Sequence, residues 1–220
     1  MKILLIADKV SPVLYSENIK RNPRLRNIDC ILSAGDLPFY YYDFLVSNLN
    51  APLYYILGNH IRDIDEEFER ELPVFRKMGG FFNLDNKVIR YHGLLMAGLE
   101  GSFRYNDKNH QYTESQMRFK IFRLIPRMLK NKLLYGRYLD ILLTHAPPYG
   151  IYAITENDTA HRGFEAFNRF IRRFKPRYVI HGHVHLLNEY IKSVKRYRNT
   201  KIVNAYGYKI LNIRMKKKKV

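Results

Sequence analysis

Residues 177–185 read RYVIHGHVH and combine a strand-like run with a turn that carries polar side chains. The run from Arg177 to His181 is short, apolar and β-branched, as expected for a buried strand. Gly182 ends the run and allows a sharp turn, after which His183 and His185 follow at positions i and i+2. The stretch therefore predicts a strand whose carboxyl end presents two imidazole donors.

The same arrangement follows four other apolar runs. These runs span 3–7, 30–34, 53–57 and 138–144, and the polar residues that follow them are Asp8, Asp36 (after Gly35), Asn59 and His60 (after Gly58), and His145. Any one of these residues alone would be read as a helix cap or a satisfied polar group. Ligands of α/β proteins bind outside the carboxyl ends of the strands, so the five turns can converge. Asp, Asn and His are donors that suit Mn, Fe, Co, Ni or Zn.

The spacing elsewhere predicts an α/β fold. A further apolar run of strand length covers 94–99. Helical spacing covers 40–49, 115–135 and 163–174, and Pro126 should kink the second of these helices. Three final runs, 187–193, 201–205 and 208–214, have no helix between them and predict an antiparallel portion. We expect one domain over 1–214 and a frayed basic tail at 215–220.

The composition limits the classes of ligand and of site that the protein can have, but it does not identify a substrate. The formal net charge of +18 favours anions, whether phosphate esters, nucleic acid or an anionic membrane surface, although a basic background or a solubility role would explain it equally well. Cys30 is the only cysteine, so an internal disulfide and a thiolate cluster are excluded. The N-terminus lacks a signal-peptide pattern and no apolar run reaches membrane-spanning length. We expect a cytoplasmic protein that does not insert into a membrane.

Taken in order, the motifs resemble those of the calcineurin-like metallophosphoesterase family, which run D-x-H, GD, GN[HD], a later His, and GHxH. The chain is especially similar to small prokaryotic members with a Gly-Ser-x-x-Tyr-Asn segment, here 101–106, and a His-Arg-Gly-Phe segment, here 161–164. The resemblance implies a four-layer sandwich of two mixed β-sheets flanked by helices. It also implies metal-dependent hydrolysis of a phosphate ester.

Carried over by position, the resemblance assigns a role to each motif residue. Asp36 would bridge two divalent cations, with Mn²⁺ the first choice and Fe, Ni, Co or Zn as alternatives. Asp8 and His185 would complete one site, and Asn59, His145 and His183 the other. The cations would acidify a bridging water for in-line attack at phosphorus. His60, counted with Asn59 as catalytic, would protonate the leaving alkoxide.

Two positions depart from the family pattern. Val10 stands where the first motif has a histidine, so we expect weaker metal loading at the Asp8 site and a requirement for added Mn²⁺. Ile61 stands where an acidic residue usually orients the motif histidine; Asp63 or a backbone carbonyl could orient His60 instead.

Several other residues have a structural and a functional interpretation. Arg104 and Arg162 lie in glycine-containing loops and could bind phosphate oxygens, although a surface arginine is the better explanation for both, and more so for Arg104. The aromatic run 39–42 could stack on a substrate, but helix packing is the better explanation. His181 is better explained as a packed strand residue than as part of the site.

The leading functional hypothesis is a phosphodiesterase or phosphomonoesterase. The alternatives are a nuclease, favoured by the charge, and a non-enzymatic metal-binding scaffold, suggested by Val10. Seven retained polar site residues argue against the scaffold, since burying them without a ligand is costly. The substrate, the native metal and the oligomeric state are left open.

Overall fold

The computed structural model describes residues 1–60, 79–106, 109–152, 161–186 and 192–214. Its strands are β1 (Lys2–Ala7), β2 (Cys30–Ser33), β3 (Leu53–Tyr55), β4 (Phe81–Asn83), β5 (Val88–Tyr91), β6 (Leu94–Leu99), β7 (Ser102–Phe103), β8 (Gln111–Tyr112), β9 (Ile141–Thr144), β10 (Tyr178–His181), β11 (Val194–Tyr197), β12 (Thr200–Asn204) and β13 (Gly207–Asn212). The helices of the described ranges are α1 (Phe39–Leu49), α2 (Glu114–Tyr135) and α3 (Glu165–Phe174), with short 3-10 turns at Ile19–Arg21 and Pro23–Leu25.

Most strands form two mixed sheets. The first sheet has the order β13-β1-β2-β3-β4, in which β13 alone runs antiparallel to its neighbour. The second has the order β11-β12-β10-β9-β6-β5, with antiparallel edge strands β11 and β5 around a parallel centre. The parallel strands therefore end at a common edge of each sheet.

Side-chain alternation along the strands divides the core into three buried layers. Ile3 and Leu5 of β1 pack against residues of the second sheet, which makes the layer between the sheets. Leu4 and Ile6 face the other way and pack against α1 and the 3-10 turns. The outer face of the second sheet is covered by α2 and α3. This confirms the four-layer sandwich that the resemblance implied.

The central strands agree with the sequence expectations to within three residues at either end, but the C-terminal part differs. β11 and β12 are antiparallel, as expected, whereas β12 pairs in parallel with β10. β13 then crosses to the first sheet and pairs with β1. The expected antiparallel pairing is therefore present, but it is divided between the two sheets. Positions 187–191 of the expected strand lie outside the described residues, and the observed strand begins at Val194.

Helix boundaries follow local capping chemistry. Thr113 and Gln116 form a reciprocal capping box at the start of α2, and Gly136, at φ 72°, ends it. Pro126 lies inside this helix and does not end it. In α1 the side chains of Phe39, Tyr41 and Tyr42 are buried, which confirms packing for these three residues of the aromatic run, whereas Tyr40 is exposed. Among the described residues, no helix is both long and apolar enough to cross a membrane.

Candidate metal centre

Polar side chains from both sheets meet at the carboxyl ends of the strands. Asp8 follows β1, Asp36 follows β2, and His145 follows β9 of the second sheet. Their potential ligand atoms all lie within 4.8 Å of one another. The convergence expected from the sequence is thus present for these three residues.

Three of the predicted ligands have a left-handed backbone, with φ values of 61° at Asp8, 55° at Asp36 and 65° at His183. This conformation is uncommon outside glycine and costs on the order of 1–3 kcal/mol per residue. The surrounding strands must hold it in place. Its occurrence at three ligand positions indicates that the chain is bent there to aim side chains into the site.

Glycines leave the space that the carboxylates fill. A Cβ atom on Gly58 would lie 2.0 Å from Asp36 Oδ1 and 2.6 Å from His145 Cε1. A Cβ on Gly182 would lie 2.5 Å from Asp8 Oδ2. Gly35 has both a close neighbour, the backbone of Gly58, and a φ of +98°. At all three glycines a neighbouring atom lies too close to leave room for a side chain. Of the three, only Gly35 also has a positive φ that favours glycine.

His145 is fully buried, and both of its ring nitrogens have defined neighbours. Nδ1 lies 2.7 Å from the carbonyl oxygen of Ala34, to which it can donate. Nε2 lies 2.9 Å from Asn59 Oδ1 and 3.2 Å from Asp36 Oδ2. The Ala34 carbonyl therefore keeps a proton on Nδ1, so that Nε2 is the ring nitrogen that could ligate a metal.

The turn after β10 holds the first carboxylate. The backbone N–H of His183 donates to both oxygens of Asp8, each at 3.0 Å. The ring of His183 is buried and its centroid lies 4.8 Å from that of His145. The glycine turn of the GHVH stretch thus supplies both a side chain and a backbone donor to the site.

Burial and the charges of neighbouring groups shift the pKa values of Asp8, Asp36 and His145. Burial raises the pKa of Asp8 to about 7, opposed by the charge of His145 and reinforced by that of Asp36. Burial also acts to raise the pKa of Asp36, but His145 and the His60 backbone N–H outweigh it and hold the pKa at about 2. Burial acts to lower the pKa of His145, but the charges of Asp36 and Asp8 outweigh it and raise this pKa to about 9. The two carboxylates therefore favour a positive charge beside them, which a protonated His145 provides and which a bound cation would also provide.

Tyr105 contacts the centre, although the sequence analysis did not assign it. Its hydroxyl accepts a hydrogen bond of 2.8 Å from Asn59 Nδ2, which turns Asn59 Oδ1 towards His145. Gln111 in turn accepts from the backbone N–H of Tyr105 at 3.0 Å. The signal was present in the Gly-Ser-x-x-Tyr-Asn segment, but nothing in the spacing shows that this tyrosine reaches Asn59.

Three further histidines lie around the buried residues. His60 is exposed, and its backbone N–H donates to Asp36 Oδ1 at 3.0 Å. His185 is also exposed, with its ring 5.1 Å from that of Tyr206. His161 was not predicted as a site residue, yet its ring lies 4.8 Å from His183 and 6.4 Å from His185. His185 does not belong to the close carboxylate–imidazole group.

The remaining candidates have structural contacts of their own. Val10 packs against the apolar cluster around α1. Arg104 donates to Gln116 Oε1 at 3.4 Å. Arg162 lies over the rings of Phe103 and Tyr149, at 4.7 and 5.1 Å.

His181 is fully buried and packs on Tyr152, which confirms its assignment as a strand residue. Ile61 and Asp63 lie outside the described residues.

The donor set fits a divalent cation. Two carboxylates, an imidazole and an amide oxygen converge in a cradle that a single added Cβ would fill. Mixed oxygen and nitrogen donors of this kind suit borderline divalent metals. Asp8, Asp36, Asn59 and His145 are the residues that would hold such an ion.

Comparison with known families agrees with this geometry. A model of the calcineurin-like phosphoesterase family matches residues 1–187. The chain belongs to the calcineurin-like phosphoesterase family. Membership supports metal-dependent hydrolysis of phosphoesters in general. No curated protein sequence matches this calcineurin-like chain.

Solved structures show the same fold. The protein TT1561 of Thermus thermophilus is 17% identical with a TM-score of 0.58, over 93% of this chain and 88% of that one. A putative 5′-nucleotidase from Staphylococcus aureus, solved with α-ketoglutarate, is 12% identical with a TM-score of 0.50, and the match covers 92% of this chain but 48% of that one. At these identities the likeness concerns the fold alone.

Proposed function

We propose that the chain hydrolyses a phosphate monoester or diester at a dinuclear centre. The observation that carries the proposal is the convergence of Asp8, Asp36 and His145 at one edge of the sandwich, with Asn59 hydrogen-bonded to His145. The fold brings these residues together although they are far apart in sequence, and all four lie in motifs that resemble those of the family.

In this proposal Asp36 would be shared by the two cations. Its Oδ2 lies 3.2 Å from His145 Nε2, and its Oδ1 accepts from the backbone N–H of His60. Asp8 would hold one cation, with His185 reaching it from outside the close carboxylate–imidazole group, and Asn59, His145 and His183 would hold the other. When bound, two divalent cations, with Mn²⁺ as our first choice, supply an acidified water and offset the charge of the phosphate. The buried side chains position these ions and exclude bulk water.

His60 acts as the general acid. Its backbone is fixed by Asp36 while its side chain is exposed at the rim, where a leaving group would depart into solvent. A positioned imidazole that delivers a proton contributes about 10²- to 10⁴-fold to a rate. Arg162, beside His161, and Arg104 are our candidates for contacting the phosphate.

His161 is our candidate for the donor that Val10 lacks. Val10 is committed to apolar packing, whereas the His161 ring lies next to His183 and within reach of His185. If water fills the position instead, the Asp8 site should load weakly.

The test is hydrolysis of a chromogenic phosphodiester and of its monoester counterpart by the purified protein with Mn²⁺. We expect turnover of at least one ester and a loss of about 10³-fold or more in Asp36→Asn, which keeps the shape but removes the bridging charge. Inactivity of the parent protein with Mn²⁺, Fe²⁺, Ni²⁺, Co²⁺ and Zn²⁺ would contradict the proposal and favour a metal-binding scaffold.

A nuclease is a second candidate because the net charge of +18 would steer a polyanion to the site. A series of salt concentrations distinguishes a nuclease from an enzyme that acts on a small phosphate ester. Activity on a small ester should change little between low and physiological salt, whereas polynucleotide affinity should fall by orders of magnitude. We further propose that 1–214 act as one domain, that 215–220 form a basic tail, and that the protein acts in the cytoplasm.

A further inference from the structure

Helix α2 has a second apolar face that the core does not use. Its buried side chains, Met117, Ile121, Leu124 and Met128, pack on the second sheet. On the opposite side, four large apolar side chains are exposed by 62% (Phe119), 66% (Phe122), 52% (Leu129) and 85% (Leu133). Folding of the sandwich therefore does not require them.

These residues form one continuous strip. With Pro126 they follow the spacing i, i+3, i+7, i+10 and i+14, which places all five on one side of a helix. The strip is about 20 Å long at the usual rise per residue. We refer to Phe119, Phe122, Pro126, Leu129 and Leu133 as the apolar strip.

Basic residues border the apolar strip on both sides. Helical periodicity places Arg123, Arg127 and Lys130 along one border, and Arg118 and Lys132 along the other. All five are exposed, and positions 115–135 contain no acidic residue. The remaining base, Lys120, is used elsewhere, since its Nζ lies 2.9 Å from Asp85 Oδ2 and 3.4 Å from Glu100 Oε1.

We propose that this face of α2 docks the protein on an anionic membrane surface. Bulky apolar side chains bordered by Lys and Arg are the pattern of helices that lie in the membrane interface. The apolar strip would enter the boundary between headgroups and acyl chains, and the bordering bases would contact anionic headgroups. The helix would lie on the membrane without spanning it, which refines the sequence expectation of no membrane insertion.

Charge argues against the other occupants of this face. A second copy would bring five bases against five bases in a chain whose net charge is already +18. A nucleic acid would match the bases and could stack on Phe119 and Phe122, but it would leave the aliphatic half of the strip, Leu129 and Leu133, in water. A lipid surface satisfies the apolar strip and the bases together.

The experiment is flotation of the full-length protein with vesicles of phosphatidylcholine, with and without phosphatidylglycerol. We expect binding only to the anionic vesicles, weakened by added salt. Arg123→Gln/Arg127→Gln/Lys130→Gln should reduce partitioning about 100-fold, because each base contributes about 5-fold near an anionic surface. Phe122→Ser/Leu129→Ser/Leu133→Ser should reduce it by roughly tenfold or more.

A matched triple variant tests whether vesicle binding depends on this face of α2 or only on the net charge of the protein. Lys20→Gln/Arg21→Gln/Arg24→Gln removes the same charge from the 3-10 turns, which pack on the outer side of the first sheet and so on the far side of the sandwich. Val13→Ser/Val194→Ser removes apolar groups that are about half exposed elsewhere. Both variants should bind nearly as well as the parent, and the circular dichroism of all variants should match it.

Three results would overturn the proposal. One is the absence of binding to phosphatidylglycerol vesicles. Another is an equal loss of binding in the variant of the 3-10 turns, which would reduce the effect to net charge. The third is a concentration-dependent dimer in sedimentation that the apolar-strip variant abolishes, which would make a second copy the occupant.

Discussion

At the scale of single residues, the site depends on how closely backbone and carboxylates approach one another. Asp36 occupies the volume that a side chain on residue 58 would need, and Asp8 occupies the same kind of space beside Gly182. The backbone N–H groups of His60 and His183 donate to these carboxylates. Small changes in the glycine turns should therefore affect the ligands before they affect the fold.

Gly58→Ala tests this directly. A Cβ at 2.0 Å from Asp36 Oδ1 must displace that carboxylate, so Mn²⁺ affinity and ester hydrolysis should each fall by about 100-fold or more. Gly136→Ala is the matched control, because a Cβ there meets nothing within 4 Å and only its φ of +72° is unfavourable. This control should lose about 1 kcal/mol of unfolding free energy and keep its activity. Equal activity losses in both variants would contradict the steric argument.

Tyr105→Phe tests the orientation of Asn59. Loss of the hydroxyl removes the acceptor for Asn59 Nδ2 and allows the amide to rotate, so Mn²⁺ affinity should fall about 10- to 100-fold. Calorimetric titration with Mn²⁺ measures this effect. Tyr138→Phe, in a tyrosine that packs on Phe174, is the control and should bind normally. Unchanged affinity in Tyr105→Phe would show that Asn59 is oriented without the tyrosine.

At the scale of elements, a buried polar network joins β6, β8 and α2. Glu100 accepts from the hydroxyl of Tyr112 at 2.6 Å, and Lys120 lies between Glu100 and Asp85. Burial acts to raise the pKa of Glu100, but His110, Lys120 and Tyr112 outweigh it and hold the pKa at about 2. The network therefore fastens α2 to the second sheet through an ionised carboxylate.

The pH dependence of stability should report this network. Because the folded pKa of Glu100 lies below its ordinary value of 4.5, its contribution is complete above about pH 4.5 and is lost as the pH falls towards 2. Urea unfolding should show that the stability advantage over Glu100→Gln shrinks on the order of 3 kcal/mol across this range. Tyr112→Phe should flatten the curve in part. A difference that stays constant with pH would contradict the assignment.

The elements also show what the sequence could predict. Buried parallel strands such as β6 and β10 are uninterrupted apolar runs, and their boundaries were found to within one residue. β4 and β5 were missed because they are short and only partly buried, so their residues lack a continuous apolar signal. The crossing of β13 to the first sheet depends on long-range pairing with β1, which local spacing does not encode.

For the site, the sequence pointed to Asp8, Asp36, Asn59 and His145 as candidates, because each lies within four residues of the end of a strand and strand ends converge in this class of fold. Tyr105 and His161 were not predicted as contacts, since both lie in loops whose path depends on tertiary packing. The ring positions of His185 and Arg162 could not be predicted for the same reason.

At the scale of the whole molecule, the two sheets bring ligands from both halves of the chain to one edge, while α2 presents a basic and apolar face on the outside of the second sheet. The net charge of +18 would attract anions to either surface. The catalytic centre and the proposed docking face use different residues, so variants of one should leave the other intact.

The central claim is that this edge holds a dinuclear metal centre, and counting bound Mn²⁺ by calorimetric titration tests it most directly. We predict two binding events per chain, the weaker at the Asp8 site, where Val10 stands in place of the family's histidine, and loss of both in Asp36→Asn, because our proposal assigns Asp36 to both ions. Absence of Mn²⁺ binding by the parent protein, or binding that Asp36→Asn leaves unchanged, would contradict the account.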